Sequence, residues 1–406
     1  MKTIFADLHI HIGRTESGRP VKITGSKSLT IDRILYEASE EKGIDMIGVI
    51  DCHVPEVLQT LEKRVQQGTC IEHPGGGIVF NQTSLLLGSE LEIYDENCEG
   101  PIHVLAFLPT LEKMWLFSEW LSTRMKNRTL SSQRIYETGA NLQEKVKELG
   151  GLFIPAHIFT PFKSLYGSGV QRSLTEVFEP NLIDAVELGL SSDTSMADEI
   201  SELHPYPFVT NSDAHSLAKI GREYQKLAVK EASFDEFTLA LKQQHGRGIV
   251  ANYGLNPRLG KYHVTVCEKC LSKKINDEAT CLQCDHHRFT KGVSNRLLEL
   301  KDTHKNFSTR PPYIHQVPLE YLPGLGPKTL ERLKNHFGTE MNILHEVQPP
   351  MLEEIVPKKI VDMIIAARHG TLNLKEGGGG VYGKVLGELV ITSNQIQTSN
   401  SKTSPI

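Results

Sequence analysis

Nearly every short apolar run in the first 254 residues ends in a histidine or a carboxylate. The runs read as strands over Thr3–Asp7, Met46–Asp51, Ser84–Glu92, His103–Leu108, Leu152–Ala156, Ala185–Leu188 and Phe208–Asn211. Between them lie stretches with helical spacing: Ile31–Lys42, with Thr30 placed to cap it, Gln133–Leu149 and Phe234–Gln244. Strands alternating with helices predict an α/β chain with a parallel sheet or an α/β barrel. Active sites of such barrels sit at the carboxyl ends of the strands. Polar residues should therefore gather just past each run, and they do: Asp7, His9 and His11; Asp51 and His53; Glu90; His157; Glu187; then Asp213 and His215, while His103 opens or sits within its own run.

Side chains two apart on a strand face the same way, so His9 and His11 form a pair, as do Asp213 and His215. A lone histidine beside a strand is usually core or surface, and His73, His204 and His245 read that way. Repetition at strand after strand instead predicts metal ligands. Histidines mixed with carboxylates suit Zn²⁺, Mn²⁺ or Fe²⁺ better than Mg²⁺ or Ca²⁺. The donors outnumber what one ion takes, so two to three divalent ions are expected, with Glu90 bridging. Closely spaced ions activate water and stabilise both the attacking and the leaving oxygen of a phosphoester.

The 406 residues suffice for one large unit and one or two small ones. No apolar run is long enough to span a bilayer. The opening Met1-Lys2-Thr3 leads straight into a strand rather than a signal peptide, which predicts a cytoplasmic, nucleoid-associated protein without membrane contact. The net charge is −5, with acidic residues in excess before residue 254 and basic residues in excess after it. Seven cysteines, four of them paired as CxxC, read as metal binding in a reducing compartment, not as disulfides.

Leu111–Thr129 interrupts the strand rhythm with Trp115, Phe117 and Trp120, followed by Arg124, Lys126 and Arg128. The segment reads first as a helix packing its aromatic face on the barrel, and second as a lid for a base. Cys267-x2-Cys270 and Cys281-x2-Cys284, ten residues apart, predict a four-thiolate zinc site. Four thiolates leave no open position, so this zinc is structural. Lys273, Lys274 and Arg288 around it suit a nucleic-acid contact. Further on, Leu322-Pro323-Gly324-Leu325-Gly326-Pro327-Lys328 precedes an apolar-spaced helix and resembles a helix-hairpin-helix. There, backbone N–H groups near Gly324 and Gly326, with Lys328, would hold a DNA phosphate without reading sequence. The chain thus divides into a catalytic barrel (1–255), a four-cysteine zinc module (262–290), a helical DNA-binding region (291–375) and a tail (376–406) whose end is expected to be disordered.

The Asp7-Leu8-His9-Ile10-His11 start, Asp51 and His53, Glu90, His103, His157 and Asn211-Ser212-Asp213-Ala214-His215 resemble the PHP (polymerase and histidinol phosphatase) family over roughly 1–250. That resemblance implies a distorted seven-stranded β/α barrel with a trinuclear centre. His9, His11, Glu90 and Asp213 would hold one ion, and Glu90, His103 and His157 a second. His53 and His215 would hold the third, with Glu16 from the loop after His11. Asp51-Cys52-His53 departs from the usual adjacent Asp-His pair, so either Cys52 or His53 faces the metal, with His53 favoured. Barrel, four-cysteine ribbon and hairpin in this order resemble the endonuclease Q family of DNA repair nucleases. The resemblance implies hydrolysis of the phosphodiester 5′ to uracil, hypoxanthine, xanthine or an abasic site, leaving a 3′-hydroxyl and a 5′-phosphate, with His9, His11, Glu90 and Asp213 at the catalytic centre. The damaged base would be flipped into a pocket. Phe159, Phe162 and Tyr166, or Arg14 and Thr15, are candidates to line it by their position near the metal strands. A sliding-clamp contact would use the polar tail. The alternatives are a phosphatase for a small phosphomonoester and a non-catalytic DNA-binding scaffold; the ribbon and hairpin argue against the first, the full ligand set against the second.

Overall fold

In the computed structural model, residues 1–387 are described except 261, 276–277, 304–308, 378–380 and 382. The expected tail disorder and clamp contact fall beyond 387, outside the described residues. The first strand, Lys2–Ile10, is the spine of the main sheet. It pairs in parallel with Met46–Val49, which pairs in parallel with Thr83–Ile93. Thr83–Ile93 then pairs antiparallel with Ile102–Leu108, and that strand antiparallel with Leu152–Pro155. Val186–Glu187 and Phe208–Val209 form a separate parallel pair, and Ala214 bridges back to Ile10. The strand ends therefore meet around one centre. The α/β class and the PHP-type barrel hold, but the sheet is mixed rather than parallel.

Several strands escape the sequence reading, two of which extend the sheet from its first strand. Tyr224–Val229 lies antiparallel to the first strand, and Gly248–Gly254 lies antiparallel to Tyr224–Val229. Tyr313–His315 then adds in parallel to Gly248–Gly254 and carries the chain to its C-terminal helices. The helix expected at Gln133 starts only at Gly139, capped by Thr138, because Arg134–Ile135 is spent on the sheet beside Glu92–Ile93. Ile31–Lys42 is α-helical to Tyr36 and π-helical beyond, and Thr30 makes no side-chain cap bond.

Leu111–Ser122 takes its packing role: Phe117 is buried and stacked on Trp120, and Trp115 Nε1 donates to Glu62 at 2.7 Å. The helices Pro327–Phe337, Glu340–His345, Pro349–Glu353 and Lys358–Arg368 follow Tyr313–His315. Of the expected hairpin, the second helix is full length and the first is a single 3₁₀ turn, Leu319–Tyr321. Among the described residues no helix is long and apolar enough to cross a membrane.

Candidate metal centre

The first strand shifts register against its neighbour between Asp7 and Ile10, where the two histidines leave the sheet. His9 and His11 are fully buried, and neither Nε2 has a hydrogen-bond partner among the described residues. Buried polar atoms are normally paired, so two bare imidazole nitrogens aimed at carboxylates are the signature of metal donors. His9 Nε2 lies 3.4 Å from Glu90 Oε1 and 3.5 Å from Asp213 Oδ1. His11 Nε2 lies 3.6 Å from Glu90 Oε2 and 3.4 Å from Asp213 Oδ1.

Glu90 sits in the middle. His103 Nδ1 approaches its Oε1 at 2.9 Å and His157 Nε2 at 3.4 Å. Asp213 Oδ1 also meets His215 Nε2 at 3.2 Å. The donor atoms form three groups, each within 4.8 Å: His9, His11 and Glu90; Glu90, His103 and His157; His11, Asp213 and His215. Glu90 and His11 belong to two groups each, a geometry suited to bridged ions of the Zn, Mn or Fe type. His157 and Asp213 adopt φ of +31° and +46°, a backbone region that costs non-glycine residues energy and collects at functional sites.

Charge follows the geometry. Burial alone would push the Glu90 carboxyl up, but His103 and Lys22 outweigh it and hold it well below the usual carboxylate range. Asp213 is partly buried; burial would push its carboxyl up, yet His9 and His11 hold it well below that range. Burial would lower His9, and Glu187 and Asp213 raise it well above its ordinary value. Ionised carboxylates packed this closely call for cations between them.

Further residues orient this set, and motif reading did not assign them a role. Glu187 reaches His9 Nδ1 at 3.0 Å, accepts from His157 N at 2.8 Å and from Asn211 Nδ2 at 2.7 Å. Asp51 reaches His11 Nδ1 at 3.3 Å and accepts from Ile12 N at 2.7 Å. Their position at strand ends was the available signal; whether they touch a metal or a ligand's far nitrogen depends on tertiary packing. Ser131 Oγ lies 3.1 Å from His11 Nδ1, and Ser132 Oγ donates to Glu90. Lys22 Nζ donates to Glu90 Oε2 at 3.2 Å and to Ser132 Oγ at 2.6 Å.

The third ligand set implied by resemblance is not brought together. His53 is buried with Nδ1 2.6 Å from Ser89 Oγ, and it joins none of the three groups. Cys52 turns into the core, its thiol donating to Val49 O at 3.1 Å. Glu16 is exposed and accepts from Asp32 N at 3.4 Å. His215 instead groups with His11 and Asp213.

The centre opens into a cleft of about 500 Å³ lined by Lys22, Glu90, Ser132, His157, Asp213 and His215, among others. A smaller pocket of about 170 Å³ adjoins it, sharing His157, Thr160, Phe162 and Asp213. Leu190, Leu255, Leu259 and Tyr262 give it apolar walls, and Phe162 meets Tyr262 edge-on at 5.7 Å. Of the residues expected to line a base pocket, Phe162 lines both spaces. Phe159 and Tyr166 are buried and stacked on each other, and Arg14 and Thr15 line neither space.

Away from the barrel, the sulfurs of Cys267, Cys270, Cys281 and Cys284 lie within 4.8 Å of one another. The Cys267–Cys284 and Cys270–Cys281 sulfurs are 3.6 and 3.5 Å apart, the spacing of a tetrahedral thiolate site. Lys273 is exposed, Lys274 Nζ lies 4.9 Å from the Phe289 ring, and Arg288 pairs with Glu268 at 3.6 Å. Gly324, Gly326 and Lys328 stand exposed at the start of Pro327–Phe337, with Leu325 buried between the glycines.

A family model described as PHP-associated matches residues 192–245. The Bacillus subtilis (strain 168) protein YqxK, itself uncharacterised, is 63% identical over 385 residues, 95% of this chain and 100% of that one. The crystal structure of the lesion-specific endonuclease PfuEndoQ from Pyrococcus furiosus superposes with a TM-score of 0.82 at 31% identity, over 95% of both chains. The structure of endonuclease Q with a 27-mer duplex carrying an abasic lesion at its active site gives 0.80 at 31% identity, over 95% of this chain and 96% of that one. A match of this length takes in the barrel, the cysteine cluster and the C-terminal helices together, not the shared PHP part alone. The chain belongs to the endonuclease Q family, and it is a metal-dependent hydrolase of the PHP type.

Proposed function

We propose that this protein is a DNA repair endonuclease that hydrolyses the phosphodiester 5′ to a deaminated base (uracil, hypoxanthine or xanthine) or an abasic site, leaving a 3′-hydroxyl and a 5′-phosphate. The observation that carries this reading is the small pocket beside the metal centre. Its apolar walls and its shared wall of His157, Thr160, Phe162 and Asp213 suit a single base drawn out of the stack while its phosphate lies over Glu90. Deamination weakens pairing and lowers the cost of that extrusion. The lesion-bearing duplex bound by the endonuclease Q structure supports the same substrate class.

On this reading His9, His11, Glu90, His103, His157, Asp213 and His215 hold divalent ions, and Cys267, Cys270, Cys281 and Cys284 hold one zinc. Bound divalent ions supply charge neutralisation and make water acidic enough to act as a nucleophile near neutral pH. The chain's own part is positional. Glu187 and Asp51 fix the rings of His9 and His11, and Lys22 faces the cleft where phosphate charge develops. Residues 1–255 form the catalytic unit, 262–290 the zinc module that meets DNA through Lys273, Lys274 and Arg288, and 291–375 the region that grips flanking DNA through Gly324, Gly326 and Lys328. A sliding-clamp contact belongs to the tail.

The test uses end-labelled duplex DNA with one deoxyuridine or deoxyinosine, Mn²⁺ or Mg²⁺, and Asp213→Ala as control. A single nick 5′ to the lesion, lost in the variant, is expected. Equal cleavage of undamaged DNA would remove the lesion specificity. Hydrolysis of p-nitrophenyl phosphate without nicking would favour a small-molecule phosphatase.

A further inference from the structure

Ile23 is 76% exposed, the highest value of any large apolar side chain among the described residues. A single exposed aliphatic is ordinary on a protein surface. This one differs in its place and its stiffness. It stands at the tip of a tight turn closed by Gly25 N, which donates to Lys22 O at 3.0 Å. Both flanks are pinned: Lys22 N donates to Ile12 O at 2.8 Å, and Ser26 N to His215 O at 2.8 Å. The neighbours on either side reach inward, Lys22 Nζ to Glu90 Oε2 at 3.2 Å and Thr24 Oγ1 to within 3.4 Å of His215 Nδ1. Ile23 between them faces out. It also lies on a boundary. Ile23 and Leu130 line both the cleft over the metal centre and a second open space of about 680 Å³ beyond it. Thr15, Ser17, Arg19, Asn127 and Thr129 bring hydroxyl, amide and guanidinium groups to that second space, the kinds that meet DNA phosphate and sugar. Glu56, the carboxylate there, accepts from Ser17 N at 3.2 Å and pairs with Arg19 at 3.9 Å. The apolar pocket shares His157, Thr160, Phe162 and Asp213 with the cleft but not Ile23 or Leu130, so lip and pocket belong to different walls.

We propose that Ile23 is a wedge: it enters the base stack of a duplex laid across the cleft and fills the gap left by the extruded nucleotide. The inference rests on the lesion-nuclease reading above. Drawing a nucleotide into the pocket leaves its neighbours unstacked and a gap one base thick. An apolar side chain in that gap covers their faces and excludes water, as inserted aliphatic residues do in proteins that kink DNA. The pinned turn presents the isoleucine before DNA arrives, and its β-branched side chain has few rotamers to lose. A wedge matters only where a stack has to be opened. It therefore acts on duplex DNA and leaves the chemistry at Glu90 and Asp213 alone. A plain surface role for Ile23 predicts no difference between duplex and single strand.

The test compares full-length wild type, Ile23→Ser and Ile23→Leu in single-turnover nicking of a deoxyuridine strand, alone and annealed to its complement, with Mn²⁺. Ile23→Ser should nick the duplex at least about tenfold more slowly, the scale of one aliphatic side chain returned to water, and the single strand at the wild-type rate. Ile23→Leu should keep most of the duplex rate. Equal loss on both substrates would mean that the substitution disturbs Lys22 or Thr24 and would overturn the proposal, as would no loss on either. A second readout needs no cleavage. A fluorescent purine analogue beside the deoxyuridine, in a duplex with a non-hydrolysable linkage 5′ to the lesion, brightens when its neighbour leaves the stack. Wild type should raise the signal and Ile23→Ser should raise it less; an equal signal in the two proteins would overturn the wedge. A wild type that nicks no lesion DNA counts against the repair reading, and the fluorescence then decides the wedge by itself.

Discussion

Glu187 holds His9, the His157 backbone and Asn211 at once. A carboxylate behind a ligating imidazole fixes its tautomer and ring angle and raises its basicity. Glu187→Gln keeps the shape and removes the charge. Its effect should be a loss of barrel metal affinity of about 10- to 100-fold, with the cysteine-site zinc retained. Metal titration of the chelator-treated variant, read by calorimetry, checks this. A variant with wild-type affinity would mean that Glu187 serves packing alone. Asp51 plays the corresponding part for His11.

At the scale of elements, what matters is how sharply each strand releases its last side chain. His157 leaves the strand Leu152–Pro155 with positive φ, directly against Gly189 in the turn after Val186–Glu187. Gly189 itself has φ of +74°, and a Cβ there would stand 2.7 Å from His157 Cβ. Gly189→Ala therefore pushes His157 off its place as well as straining its own backbone, where left-handed φ costs about 1–2 kcal/mol for a residue with a Cβ. The expected outcome is a protein that melts earlier and binds its second barrel ion more weakly, measured by thermal unfolding and metal titration on one preparation. Unchanged metal binding with a lowered melting point would confine the role of Gly189 to stability.

Across the whole molecule, the C-terminal helices lie against the back of the barrel through an aromatic and ionic seam. His345 stacks on Phe5 at 4.5 Å, meets Tyr253 edge-on at 4.9 Å, and has Nε2 2.7 Å from Tyr224 OH. Lys42 pairs with Glu340 at 2.9 Å, both nearly buried, and Lys219 with Glu320 at 2.6 Å. Burial, with Lys226 and Arg368 nearby, lowers the His345 pKa to about 3 from an ordinary 6.5. Between those values the unfolded chain binds the proton and the folded one does not, so this group's contribution to stability falls as pH drops from 6.5 toward 3. The slope from one such group is at most about 1.4 kcal/mol per pH unit. Urea unfolding at several pH values should show a shallower acid loss in His345→Phe, which keeps the ring stack and removes the titration. Parallel pH curves for the two proteins would count against it.

The local pattern was enough to place most strands that carry the centre, because period-two apolar runs ending in His, Asp or Glu express both the strand and its exit. His9, His11, Glu90, His103, His157, Asp213 and His215 could be named because side-chain parity and strand ends are sequence properties. Four cysteines in two pairs were equally legible. The strands Tyr224–Val229 and Gly248–Gly254 were not, since their pairing depends on partners far along the chain. The pattern singled out Glu90 as the bridge but gave Glu187 no role, because what stands behind His9 is set by tertiary packing. The roles of Glu16 and Lys22 hang on the path of one loop, and hydrogen bonds between Val21, Gly13 and Ser131 set that path. Sequence determined which donors stand at the strand ends; tertiary structure decided which of them meet, because convergence depends on the curvature of the sheet and on loops pinned by residues more than a hundred positions away.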